Sequence, residues 1–324
     1  MSQIFSHGYA MVVGVGADLP VTVADATAIA GLLCDQSRCA YPTNQVKLLT
    51  SDKACRNNIL SALDWLAKSA GRDDTAIVYF SGHGIQSPDY HLLPFGYNLK
   101  DLPGTAITGE TFTEQLRAIQ AKKLVVMLDC CHAGGQAEAK APLPPSVIAQ
   151  LGGSSGRVVL ASSRRDQLSY ILPGHSRSVF TEALLEALAG YGAFELDGYA
   201  RILDLTMWAG YKVPQRTKDA QNPIIKVSNM EDNFELAWYA AGEKTLRPLP
   251  DLAVNASAVL SEFDVAEAKT WRRMLANYRR NLLLIEERMS QFVQLTDIPL
   301  QLVKNKRETE MRITELKLKL GLNI

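Results

Sequence analysis

Two short stretches of the chain hold residue types that can do covalent chemistry. LDCCHAGG, residues 128–135, sets Cys130 and Cys131 side by side with His132 after them, and SGHG, residues 81–84, places His83 between two glycines. A cysteine thiolate is an intrinsically strong nucleophile, and an imidazole within reach can take its proton. The glycines let a substrate backbone approach and leave the Gly84 N–H to donate to a developing oxyanion. The Cys131 N–H, at a strand end, supplies a second donor. Thiol, imidazole and two backbone donors make an acyl-transfer site. Each residue alone has a plainer reading. A cysteine at a strand end is most often a small buried hydrophobe, and a histidine in a glycine turn is most often structural. A metal centre fits poorly, because the consecutive Cys130, Cys131 and His132 do not converge easily on one ion and no second pair such as C-x-x-C exists.

These residues need elements that bring them together. Residues 9–15 (YAMVVGV), 45–50, 75–84 (TAIVYFSGHG), 122–135 (KKLVVMLDCCHAGG) and 157–163 read as strands, several of them continuously apolar. Helical spacing marks residues 23–34, 57–70 and 111–120, the last with a Thr cap. Residues 178–190 (SVFTEALLEALAG) form a further helix, opened by Ser178 and closed by glycine. Strands alternating with helices predict an α/β fold with a mostly parallel sheet covered on both faces. Ligands in such sheets sit at the carboxyl ends of the strands. If the 75–84 and 122–135 strands are neighbours, His83 and Cys131 emerge at one rim.

The rest of the chain sets limits. The 324 residues suit a large domain with an appendage. Lys+Arg and Asp+Glu each number 34, so no global basic field invites nucleic acid or an anionic membrane surface. The N-terminus lacks a secretion signal, and no apolar run is long enough to span a bilayer. The five cysteines follow no disulfide framework, so reduced thiols in a cytoplasmic protein are expected. Residues 136–156, rich in proline, glycine and small residues, read as a long exposed loop. Residues 240–252 (AAGEKTLRPLPDL) read as a linker.

SGHG and D-C-C-H-A-G, in that order on successive strand ends, resemble the paired signatures of the metacaspase and bacterial caspase-like cysteine peptidases. YHLLP (90–94), SVFTEALLEAL and QNP (221–223) support the likeness, which covers roughly residues 5–240. The resemblance implies a caspase-like three-layer α/β/α sandwich. It makes His83 the base, Cys131 the nucleophile, and the Gly84 and Cys131 amides the oxyanion donors. It also implies an acidic S1 pocket for Arg or Lys, built from Asp25, Asp129 and Ser81, with Thr22 as a further polar residue. Two carboxylates can hold a guanidinium by charge-assisted, bidentate hydrogen bonds. Without the family, Asp25 reads as a first-turn acid and Asp129 as a capping carboxylate. Caspases that cut after Asp use arginines there. No arginine stands in the early turn, and Arg164 and Arg165 read as a solvated loop.

Many relatives bind calcium through an acidic cluster, but Asp89, Asp101 and Glu138 stand isolated in this sequence. No cofactor or metal is therefore expected, and calcium dependence has no support. Some relatives cut themselves in the loop after the nucleophile. Lys140 and Arg157 are the candidate processing sites here, and ordinary exposed charges are the alternative.

Beyond the linker the character changes. Residues 258–296 read as one long helix whose Leu275, Tyr278, Leu282, Ile285, Met289 and Phe292 form a coiled-coil seam. Pro299 breaks it. A second helix follows with Leu302, Ile313, Leu316 and Leu320 on one stripe, interrupted by Lys306 and Thr309. This predicts an antiparallel hairpin, similar to one appended to effector domains of bacterial conflict systems. That likeness implies an adaptor for a sensor, activator or inhibitor protein, against the alternative of a passive stabilising hairpin. The expected organisation is a peptidase domain at 1–240, a linker at 241–257 and a helical interaction domain at 258–324. The expected activity is an endopeptidase cutting protein substrates after Arg or Lys, as an effector in bacterial antiviral defence or regulated proteolysis. The rivals are a catalytically silent scaffold and a zymogen awaiting a partner or processing.

Overall fold

The computed structural model describes residues 3–130, 157–164, 167, 169–228, 230 and 232–249, together with 278, 280–282, 284–290, 292 and 299–319. The chain falls into two compact units, Met1–Pro248 and Leu249–Ile324. The described elements of the first are β1 (Gly8–Gly14), α1 (Pro20–Cys34), β2 (Val46–Thr50), α2 (Arg56–Ser69), β3 (Thr75–Ser87) and β4 (Asp89–Leu93). There follow α3 (Leu102–Thr105), β5 (Ile107–Thr108), α4 (Gly109–Ala118), β6 (Lys123–Cys130) and β7 (Arg157–Ala161). The unit closes with α5 (Val179–Leu188), β8 (Tyr199–Arg201), α6 (Ile202–Thr217), β9 (Ile224–Ser228) and β10 (Glu235–Trp238).

The central sheet runs β2-β1-β3-β6-β7-β9, parallel except for β9, which pairs antiparallel with β7. The inner strands β1, β3, β6 and β7 are apolar over most of their length because both faces are covered, while the edge strands β2 and β9 are more exposed and carry Lys47 and Lys226. On one face Val13, Phe80, Val126, Leu128 and Cys130 pack against Ile59 and Leu63 of α2 and Phe112 and Leu116 of α4. Helix α1 lies against β1 and β3 with α5 beside it. Gly14 lets α1 approach, since a Cβ there would lie 2.2 Å from the Thr22 carbonyl oxygen. The architecture is thus the expected α/β sandwich. The strand order reverses about β1, so its neighbours β2 and β3 diverge at a topological switch point, where such sheets open a crevice.

β3 differs from expectation in an informative way. It does not end in a glycine turn but continues to Ser87 and folds back through Pro88 into β4. Among the described residues its pairing with β6 runs to Gly82↔Cys130, and its pairing with β4 covers His83↔Leu93 to Ser87↔Asp89. His83 therefore sits where the strand passes from one partner to the other. α4 starts at Gly109 rather than near 111, because the Thr108 hydroxyl caps it by accepting from the Thr111 N–H. The helix α6 and the small β8–β10 sheet carried no strong periodic signal.

The first unit runs to Pro248. The Arg38 guanidinium ties this tail down, donating to the Arg247 carbonyl at 2.9 Å and the Pro248 carbonyl at 2.6 Å. In the second unit, residues 284–290 are helical and α7 spans Leu300–Lys319, starting directly after Pro299. Lys306 bridges the two stretches with an ion pair to Glu286 at 2.9 Å. Thr309 and Ile313 are buried, and the Thr309 hydroxyl donates to the Asn305 carbonyl, which lets a polar residue sit on the buried stripe. Leu320 and all of 258–277, Leu275 included, lie outside the described residues. No described helix is long and apolar enough to cross a membrane.

Candidate active site

β3 and β6 are adjacent and parallel, and their register sets Ser81 opposite Asp129 and Gly82 opposite Cys130. His83 is the next residue of β3, and in the sequence Cys131 follows the last residue of β6. Cys131, His132 and Lys140 lie outside the described residues. Cys130 faces the core layer formed with α2 and α4 and is buried. Burial pushes its thiol up to about 12, with the Tyr90 hydroxyl opposing part of that rise. A thiol so disposed against ionisation is a packing residue rather than a nucleophile.

The His83 side chain is 3% exposed. Its Nε2 lies 3.1 Å from both carboxylate oxygens of Asp18, in the turn after β1. Sequence reasoning missed Asp18, which reads there as an ordinary turn acid. Gly82 permits this part of the strand, since a Cβ would lie 2.7 Å from Val15 Cγ2 and 3.0 Å from the Phe80 ring. Gly84 is buried and pairs with Leu92 of β4.

Ser81, two residues before His83 on β3, meets two carboxylates, Asp25 of α1 and Asp129 of β6, each 0% exposed. Ser81 donates to Asp25 Oδ2 at 3.3 Å, and the Ser178 N–H donates to Asp25 Oδ1 at 2.9 Å. Asp129 accepts from the hydroxyls of Ser169 at 3.0 Å, Thr181 at 3.3 Å, and Ser178. Burial above all, and then the Asp129 charge, push the Asp25 carboxyl from its ordinary 3.8 up to about 8. Bringing two carboxylates into one dry site costs several kcal/mol per ion, and such clusters concentrate where a protein acts on a ligand.

Four helpers complete this acid floor. Ser178 reads from sequence only as a helix cap. It is one, accepting from the Thr181 N–H at 3.0 Å, and it also touches both acids. Ser169 and Thr181 carried no signal, because their partners are distant in sequence. Gln221 of the QNP stretch is buried. Its amide donates to the Ser162 carbonyl at 2.8 Å and its carbonyl accepts from the Tyr170 N–H at 2.9 Å, bracing the segment that holds Ser169.

Three further sequence candidates have clear positions. The Thr22 hydroxyl is spent within its own turn, accepting from the Gly16 N–H at 2.7 Å and donating to the Leu19 carbonyl at 2.8 Å. Arg157 is 5% exposed inside β7, so a protease reaching its bond would have to draw that strand out of the sheet. Asp101 caps α3, accepting from the Gly104 N–H.

The family model described as "Caspase domain" matches residues 7–235. The chain is 26% identical over 209 residues to Metacaspase-1A of Aspergillus oryzae, covering 56% of this chain and 47% of that protein. It is 32% identical over 111 residues to Metacaspase-1B of Aspergillus terreus, covering 30% of this chain and 29% of that protein. The chain thus spans about half the length, or less, of these curated relatives. A solved structure of a Geobacter sulfurreducens protein superposes with a TM-score of 0.48 at 16% identity, covering 69% of this chain and 94% of that one. With its match to the caspase domain over most of its length and metacaspases among its relatives, the chain belongs to the metacaspase and caspase-like peptidase family.

Proposed function

We propose that the chain is a cysteine endopeptidase that cuts protein substrates after arginine or lysine. The observation that carries this reading is the buried Asp25–Asp129 pair, one strand residue before the Gly82↔Cys130 register that leads into His83 and Cys131. A lone acid there would be an ordinary cap, whereas two acids rimmed by hydroxyls match a planar, five-donor guanidinium.

The chemistry follows from the residues. His83 takes the Cys131 thiol proton, and the thiolate attacks the scissile carbonyl. The Gly84 and Cys131 amides hold the oxyanion. The imidazolium then protonates the leaving amine, and water hydrolyses the thioester. The P1 side chain lies over Asp25 and Asp129, with Ser81 at the pocket wall, and takes the place of the Ser169 contact on Asp129. The Thr22 hydroxyl supports the neighbouring turn. Lys140 is the better candidate for self-processing, because Arg157 is held inside β7. The C-terminal helices recruit a sensor, activator or inhibitor, and the whole serves regulated proteolysis or defence.

The test is a panel of fluorogenic peptides differing only at P1. Arg and Lys reporters are turned over at least 100-fold faster than Asp or Leu reporters, and Cys131→Ala abolishes turnover. Equal turnover of Asp reporters, or full activity in Cys131→Ala, overturns the reading.

A further inference from the structure

The Asp18–His83 contact goes beyond a thiol and imidazole acting alone. We propose that Asp18 is a positioning residue that fixes the tautomer and orientation of His83 through Nε2. The proposal rests on the peptidase reading for its purpose but not for its geometry.

Three observations support it. First, both Asp18 oxygens lie 3.1 Å from Nε2 of a buried imidazole. A carboxylate only accepts, so Nε2 must carry the hydrogen. The Nδ1 lone pair is then the one that receives the thiol proton.

Second, the turn that presents Asp18 is strained and braced. Gly16 and Ala17 both have left-handed backbones, with φ of 73° and 56°. For alanine this conformation costs about 1 kcal/mol. The turn is held by the buried Thr22 hydroxyl, by Leu19 N–H donating to the Gly16 carbonyl, and by Val15 N–H donating to the Ser81 carbonyl of β3. The last bond ties the Asp18 turn to the strand that carries His83.

Third, the two partners differ in exposure. The Asp18 side chain is 55% exposed and the His83 side chain 3%. Asp18 therefore reaches solvent, while the imidazole it supports is shielded from water.

The Cys131 S–H bond breaks, sulfur keeps the electron pair, and the proton bonds to His83 Nδ1. Nε2–H stays on the ring, donated to Asp18, whose charge offsets the imidazolium. The Nδ1 proton then passes to the leaving amine, restoring the starting tautomer. Because Asp18 is half in water, its removal should cost less than the roughly 10⁴-fold seen when a buried triad carboxylate is replaced.

The experiment uses the full chain with Asp18→Asn, Asp18→Ala and Asp18→Glu. With an Arg-P1 reporter, kcat falls about 10- to 100-fold in the Asn and Ala variants while KM stays within about twofold, and Asp18→Glu recovers part of the loss. In ¹⁵N-histidine NMR spectra, wild-type His83 shows the Nε2–H tautomer, and Asp18→Ala shifts it towards a mixture. The proposal is overturned by kcat within twofold of wild type in Asp18→Asn, or by an unchanged His83 tautomer. The NMR result decides the matter even if no reporter is cleaved, in which case the peptidase reading fails and the positioning role stands or falls separately. If Asp18→Ala does not fold, the isosteric Asn variant carries both readouts.

Discussion

Ser178 joins the two buried carboxylates. Its main-chain N–H donates to Asp25 Oδ1 at 2.9 Å, and its hydroxyl donates to Asp129. One residue at the start of α5 thus connects α1, β6 and its own helix end. Ser178→Ala removes the cap and one donor on a buried carboxylate. The expected loss is about 2–4 kcal/mol of stability, read as a lower urea midpoint with an unchanged slope. A midpoint equal to wild type would mean that Thr181 and Ser169 alone satisfy Asp129.

Asp25 makes stability depend on pH. Its carboxyl is raised from 3.8 to about 8, chiefly by burial and then by the Asp129 charge. Between those values the folded protein holds a proton that the unfolded chain has released. Stability is therefore highest at the acid end of this window and falls as pH rises towards 8. Asp25→Asn keeps the shape without the titration. Urea midpoints at pH 5 and pH 8 should differ clearly in wild type and much less in the variant. Parallel behaviour of the two proteins refutes the assignment.

The adjacent cysteines should separate cleanly. Cys130 packs among Phe80, Leu128 and their neighbours, so Cys130→Ala leaves a small void costing about 1 kcal/mol. Turnover of the Arg reporter should stay within about twofold of wild type. With Cys131 as the proposed nucleophile, iodoacetamide should inactivate wild type and Cys130→Ala alike. Protection of the Cys130→Ala variant would reverse the assignment.

Gly82 has to lack a side chain. A Cβ would lie 2.7 Å from Val15 Cγ2 and 3.0 Å from the Phe80 ring, one residue before His83. Gly82→Ala should cost about 1–3 kcal/mol through overpacking and lower kcat by displacing the histidine. Thermal melting and reporter kinetics measure the two effects, and a variant matching wild type in both would show that Val15 yields freely.

The sequence alone determined what depends on local order. Apolar runs specify the strands β1, β3 and β6 because a strand covered on both faces needs no polar alternation. The Ser178 cap was legible because capping chemistry acts over a few residues. The family signatures identified His83, Cys131, Asp25 and Asp129 as the residues to examine. Register and long-range partners were another matter. Only the folded chain set Gly82 beside Cys130, carried β3 past its glycines into a hairpin, and brought Asp18 to His83 across 65 residues of sequence. It also brought Ser169, Ser178 and Thr181 onto Asp129, and Thr22 onto its own turn rather than an open pocket wall. A hydroxyl's hydrogen bond is satisfied by whichever acceptor packing places within about 3 Å. That choice is made when the helices close on the sheet, and no spacing along the chain records it.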